Sequence, residues 1–310
     1  MTSETDVLRL HARSVELFLD RVRAVPEDGW ERPTPSAPWD VRDLVNHVVG
    51  EDRWTSPLMA GQTIADVGQS LDGDLLGEMP VQAAEQAGKV AVAAFGEPGA
   101  GDRTVHLSFG DTPATEYAWQ LVADHVVHGW DLAVATGGDT RLDDDLVAAV
   151  AGWFTDREDL YRQAGAVADR PAVAGTTPQN NLLLAFGRDP SWTPAHDVVR
   201  RFGAAWEAWD LDAIMALMAD DAVFESTGPA PDGRRAEGRD AIRAEWEGMF
   251  AGTRDASFTF EESFVCGDRA SARWVFAWTN DDGSPGHVRG VDVIRVRDGR
   301  IAEKLSYVKG

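Results

Sequence analysis

Apolar residues recur at helical spacing through the first part of the chain. Between Asp6 and Val25, the positions Val7, Leu10, Val15, Leu17, Phe18 and Val22 gather on one side of a 3.6-residue repeat and predict an amphipathic helix. A second helix is predicted from Asp40, a good N-cap, with Asp43 three residues on to complement the helix N-terminus. It runs through Leu44, His47, Val48 and Glu51 towards Trp54. The Gly/Asp-rich stretch from Gly61 to Gly77 reads as a loop, and Val81 to Phe95 as a helix. Thr112-Pro113 has the pattern of a cap followed by a first-turn proline, opening a helix that Gly137-Gly138 ends after Thr136. One further helix is expected over Leu142 to Gln163. Four or five long helices with little strand signal predict a bundle.

The pattern breaks at Gly187-Arg188-Asp189-Pro190-Ser191-Trp192-Thr193-Pro194, where prolines bias their preceding residues away from helix. We place the boundary here, giving domains of 1–192 and 193–310. Beyond it, Ala195 to Trp209, Leu211 to Met218 and Arg239 to Phe250 carry helical spacing. Period-two alternation then takes over: Ser257 to Cys266, Ala270 to Thr279, His287 to Val296 and Ile301 to Val308. Asp282-Gly283 and Asp298-Gly299 are hairpin turn pairs. Helices followed by an antiparallel sheet are an α+β layout.

Composition narrows the partners. The 310 residues carry 29 Lys+Arg against 52 Asp+Glu, a formal charge of −23, so nucleic acid and anionic membrane surfaces are excluded as natural partners. A hydrophobic share of 44% and a charged share of 26% are those of a globular chain. Only Lys89, Lys304 and Lys309 are lysines. The single cysteine, Cys266, rules out an intramolecular disulfide and a cysteine-based zinc site. The acidic N-terminus has no signal-peptide core and no apolar run approaches the roughly 20 residues of a membrane span, so a cytoplasmic protein is expected.

Candidate chemistry concentrates in Ala123-Asp124-His125-Val126-Val127-His128-Gly129-Trp130-Asp131-Leu132-Ala133. On a helix Asp124 and His128 sit one above the other, with Tyr117, Gln120, Asp131 and Ala135 on the same side. A carboxylate and an imidazole so placed can bind one divalent ion, and His47 on the second helix is the natural third donor. His47, Asp124 and His128 would leave coordination positions open, as catalytic zinc sites do. The spacing equally allows His47 as a hydrogen-bonded core histidine and Asp124/His128 as a surface ion pair. His125 is a rival ligand, about 100° round the helix from Asp124. His11, His106, His196 and His287 show no evident partner, and Arg42, Arg53 and Arg103 read as solvated surface although each could bind a carboxylate.

Three motifs in order, Trp39-Asp40-Val41-Arg42-Asp43-Leu44-Val45-Asn46-His47, Asp124 to Ala133, and Leu182 to Pro190, resemble the DinB-like superfamily, in particular the branch containing mycothiol-dependent maleylpyruvate isomerases. The resemblance covers about residues 5–190 and implies an all-α four-helix bundle. It also implies a divalent metal, expected to be zinc, on His47, Asp124 and His128. The isomerases have Glu where Asp124 stands, and Asp reaches one methylene less far. A cation with an open position favours thiolate at neutral pH. The expected cosubstrate is therefore mycothiol or another small thiol, used for S-transfer to, or cis–trans isomerisation of, a small electrophilic substrate.

Residues 195–310 resemble the SnoaL-like, ketosteroid-isomerase-like family through Phe202 to Trp206, Asp210 to Ile214, Leu217 to Ser226, Gly238 to Arg243 and Gly290 to Val296. That implies an α+β cone-shaped barrel around an apolar pocket. The family's catalytic aspartate is replaced here by Ser226 and its oxyanion-hole tyrosine by Phe202; only its second aspartate has a counterpart, Asp292. Asp292, in an apolar strand, is the candidate catalytic residue of this domain, unless Arg289, Arg273 or the backbone satisfies it. Glu225, Trp246, Arg273 and Tyr307 are expected near the pocket. Trp206, Trp209, Trp274 and Trp278 read as core and Cys266 as structural. The alternatives to a metal-dependent thiol transferase or isomerase are a cyclase, hydrolase or dehydratase centred on this pocket, with a structural bundle, and a non-catalytic small-molecule-binding protein. A homodimer through the SnoaL-like domain is the expected assembly.

Overall fold

The computed structural model describes residues 4–309, with side chains from Val7 onward. The chain divides into two compact units between Pro190 and Ser191, inside the proline-punctuated segment. In the first unit, α1 (Glu4–Arg23), α2 (Val41–Met59), α3 (Ile64–Val67) and α4 (Pro80–Phe95) precede a hairpin of β1 (Thr104–Leu107) and β2 (Gly110–Pro113). Then come α5 (Ala114–Thr136), α6 (Asp144–Phe154), α7 (Glu158–Gln163) and α8 (Pro178–Ala185). The long helices form the bundle: α1 packs on α4 and α5, and α2 on the same two helices. Val15, Phe18, Val22, Leu44, Val48 and Leu132 fill the space between them.

Local chemistry explains where these helices begin and end. Asp40 caps α2 through a reciprocal box with Asp43, and Gly137 ends α5 in the left-handed region at φ 74°. Thr112 is not the cap of α5. It lies in β2 opposite Val105 with its side chain buried, and strand pairing prevails over capping; the helix begins at Ala114. The helix expected over Leu142 to Gln163 is two helices. α6 stops at Phe154 and α7 starts at Glu158; between them the Arg157 guanidinium donates to the Trp153 carbonyl at 2.8 Å and pairs with Glu116 at 2.8 Å.

The second unit comprises α9 (Pro194–Glu207), α10 (Leu211–Ala216), β3 (Met218–Glu225), β4 (Arg235–Glu237) and α11 (Arg239–Gly252), then β5 (Arg254–Cys266), β6 (Arg269–Thr279), β7 (Pro285–Arg297) and β8 (Arg300–Val308). The sheet order is β4-β3-β8-β7-β6-β5, with β3 and β8 parallel and every other neighbour antiparallel. Met218 opens β3 instead of closing a helix; a register shift between Met218 and Val223 spoils the alternation that marks the later strands. Asp298 and Gly299, at φ 52° and 69°, make the tight β7–β8 turn. Helices and sheet enclose Phe202, Trp206, Ile214, Trp246, Ile294 and Ile301. Among the described residues no helix is long and apolar enough to cross a membrane.

Candidate metal centre

The packing of α2 against α5 turns the capped start of α2 towards the middle of α5. His47, Asp124 and His128 thereby each place one ligand atom within 4.8 Å of the others. His47 Nε2 lies 3.2 Å from Asp124 Oδ2, and His128 Nε2 lies 3.3 Å from Asp124 Oδ1. Asp124 Oδ2 is nevertheless a buried oxygen with no hydrogen bond. The imidazole is close but not aligned to donate to it, as expected where donors face a common point between them. Trp39 lies against His47, ring centroids 4.8 Å apart, and helps hold that ring.

His128 is fixed from behind. Its Nδ1 is 2.9 Å from Asp131 Oδ2, which also accepts from Arg188 Nη2 at 2.9 Å and from Ser36 Oγ at 3.0 Å. Arg188 donates in turn to Ser36 Oγ at 2.6 Å and to the Phe186 carbonyl at 2.9 Å. Asp131 is fully buried, so this pairing offsets its desolvation. A carboxylate on Nδ1 selects the tautomer that presents Nε2 as a ligand.

The charges are strongly coupled. Burial opposes ionisation of Asp124, but His128 and His47 outweigh it and hold the carboxyl well below its ordinary range. Burial lowers His128, yet Asp124 and Asp131 outweigh it and lift its pKa to about 9. His47 moves up for the same reason, through Asp124. Glu51, one turn beyond His47, is pushed up by burial and then by Asp124.

The three side chains open onto a cavity of about 680 Å³, lined also by Trp39, Glu51, Tyr117 and Arg188. His47 and Asp124 are 30% and 29% exposed, enough for a small molecule to reach them. Arg42, Arg53 and Arg103 do not line it: they donate to Asp74, the Leu75 carbonyl and the Met59 carbonyl. His125 turns away from the trio towards Asp52, its Nε2 3.1 Å from Oδ1. His11, which showed no partner in the sequence, is gathered with Asp52 and His125. His106 pairs with Asp111 at 2.7 Å, and His196 closes the capping box of α9. Sequence reasoning noted Asp131 on the shared face without giving it a role and missed Arg188 and Ser36; only the rotation of Asp131 towards His128 hinted at that support.

In the second unit a cavity of about 570 Å³ is walled by Trp206, Phe224, Trp246, Phe258, Trp274 and Phe276, with Lys304 and Ser306 also lining it. Asp292 is fully buried and is not among its lining residues. Its partners are neither Arg289 nor Arg273: Lys304 Nζ lies 2.9 Å from Oδ2, and Ser306 Oγ donates to Oδ1 at 2.7 Å. Lys304 also donates to Ser306 Oγ at 2.7 Å, and its ammonium sits 5.2 Å from the Phe224 ring centre and 5.6 Å from that of Trp206. Of the other residues expected here, Trp246 lines the cavity. Glu225 pairs with Arg235, Arg273 with Glu262, and Tyr307 is exposed.

The chain's relatives fall in two groups. The sequence profile of the mycothiol maleylpyruvate isomerase N-terminal domain matches residues 11–133, and that of the SnoaL-like domain matches residues 199–304. Uncharacterized protein Rv0738 of Mycobacterium tuberculosis is 30% identical over 145 residues, spanning 46% of this chain and 73% of the relative. Among solved structures, an NTF2-like protein of unknown function from Mesorhizobium loti is 43% identical, covering 37% of this chain and 90% of its own, with a TM-score of 0.33. Rv0760c of M. tuberculosis, solved with estradiol-17beta-hemisuccinate, is 29% identical, covering 37% of this chain and 94% of its own, with a TM-score of 0.33.

Proposed function

For a chain that belongs through residues 11–133 to the mycothiol maleylpyruvate isomerase N-terminal domain family and carries a SnoaL-like domain at 199–304, we propose a metal-dependent enzyme that activates a small thiol against an electrophile. The carrying observation is the Asp124 carboxylate, which faces two imidazole nitrogens yet leaves its buried Oδ2 without a hydrogen bond. One carboxylate and two imidazoles are a donor set suited to zinc. When bound, such a cation supplies the positive charge that favours thiolate over thiol at neutral pH.

This chain's own groups do the rest. His47, Asp124 and His128 would hold the ion, while Asp131, Arg188 and Ser36 keep the His128 ring in register. Glu51 lines the same cavity and is the group placed there to take the thiol proton and return it. The sulfur must come from a cosubstrate, mycothiol or a similar thiol, because Cys266 is the only thiol of the chain and lies in the other unit. Sulfur adds to an electrophilic double bond, its electron pair forming C–S as the π bond breaks. Rotation and elimination then return the thiol and give isomerisation; protonation at carbon instead leaves the S-adduct.

Metal content decides the ligand set. Protein purified without added metal should carry about one ion at this centre, lost in His47→Ala, Asp124→Ala and His128→Ala; unchanged metal in all three removes the assignment. Thiol consumption across a panel of electrophiles tests the chemistry separately, and a rate indifferent to metal would count against it.

A second reading concerns the other cavity. Lys304, a buried cation among aromatic rings, favours an apolar guest bearing an oxygen acceptor. Lys304→Met should abolish binding of such a compound while leaving metal content intact; equal binding by the variant would discard this role.

A further inference from the structure

We propose that His11, Asp52 and His125 form a second, enclosed metal site that takes a zinc-class dication. The three residues come from α1, α2 and α5, and each offers a ligand atom within 4.8 Å of the other two. This inference goes beyond the function proposed above and shares no ligand with it.

Two independent observations point to a cation. First, His11 is completely buried, and neither Nδ1 nor Nε2 has a hydrogen-bond partner. An imidazole always has at least one N–H and usually one lone pair to satisfy, so burying both unmet carries an uncompensated desolvation cost. Second, His125 is arranged as a ligand. Ser14 Oγ lies 2.9 Å from the His11 carbonyl and 3.3 Å from His125 Nδ1. With its single proton assigned to the carbonyl, Ser14 can only accept from His125, which puts the ring proton on Nδ1. His125 Nε2 then stands 3.1 Å from Asp52 Oδ1, a spacing that a shared cation bridges as readily as a ring proton. A backing hydrogen bond on the far nitrogen is the usual support of a metal-bound histidine.

The surroundings are those of a structural site. Phe95 meets the His11 ring edge-on at 4.8 Å, and Phe18 lies 5.9 Å from His125. A Cβ on Gly88 of α4 would stand 3.6 Å from Asp52 Oδ2 and 2.7 Å from Val15, so the helices close tightly over the carboxylate. Two imidazoles and one carboxylate select zinc, cobalt or nickel over magnesium or calcium. Unlike the centre on the cavity, this one exposes no more than a few per cent of any ligand, so its ion should leave only when the bundle opens.

The test uses the full chain expressed with zinc and measured by mass spectrometry. About two zinc ions per chain are expected in the wild type, one in His128→Ala and one in His11→Leu. Chelator should strip the wild type to about one ion quickly and remove the second only under denaturant. Zinc lost to the last trace in His128→Ala, or a count unmoved by His11→Leu, overturns the second site. A count unmoved by His128→Ala but lowered by His11→Leu would instead sink the cavity centre and leave this one standing. Should His11→Leu fail to fold, cobalt-loaded His128→Ala decides: visible d–d absorption is expected, and its absence overturns the proposal.

Discussion

Asp131 shows how much a single buried side chain can govern. It contacts no cavity, yet it sets the tautomer and angle of His128. Asp131→Asn should lower zinc affinity by about 10–100-fold with the fold intact, as measured by competition with a chromophoric chelator. Acid stability gives a second handle. Burial raises the Asp131 pKa, but Arg188 and His128 outweigh it and bring it down to about 2, below the ordinary carboxylate range. The folded value is depressed, so the resulting stability, about 2 kcal/mol, is present above the unfolded pKa and is lost as pH falls towards 2. Arg188→Met removes the largest opposing charge, and its acid-unfolding midpoint, followed by circular dichroism in metal-free protein, should move to higher pH. The Asp124/His128 pair was legible because i, i+4 spacing is local geometry, whereas His47, on another helix, joined it through the family resemblance. Arg188 was not, because its tie to Asp131 spans 57 residues of sequence that only the folded chain brings together.

At the scale of elements, periodicity found what repeats and missed what is short or irregular. α1, α2 and α4 were legible because each buries one face through several turns, and the four long strands because their apolar residues alternate in sequence. The β1–β2 hairpin, with four residues a side, is too brief to establish a period, and β3 hides its alternation behind a register shift. At the break between α6 and α7, Arg157 reaches Glu116, 41 residues away, a contact no local pattern announces. Close approach marks another element. A Cβ on Gly290 of β7 would meet the Trp274 ring at 2.3 Å and the Tyr307 carbonyl oxygen at 2.6 Å. Gly290→Ala should therefore cost about 1–3 kcal/mol in denaturant melts, since β8 backbone cannot yield as a flexible side chain would.

The molecule as a whole is two units, each with its own buried core. Residues 191–310 produced alone should unfold cooperatively, a behaviour that calorimetry checks directly. Function was legible unevenly across the units. The bundle advertises polar residues on a helix face that packing alone would make apolar. The sheet domain hides Lys304, which in sequence is one lysine in an alternating strand and in the fold is the cavity's buried cation.

That burial has a practical corollary. Lys89 and Lys309 are exposed and Lys304 is 4% exposed, so the native chain offers amine-reactive esters two of its three lysines. Peptide mapping after brief acylation should find modification at Lys89 and Lys309, with Lys304 spared until denaturant is added. The third amine is thus a built-in footprint for opening of the aromatic chamber, readable without any engineered probe.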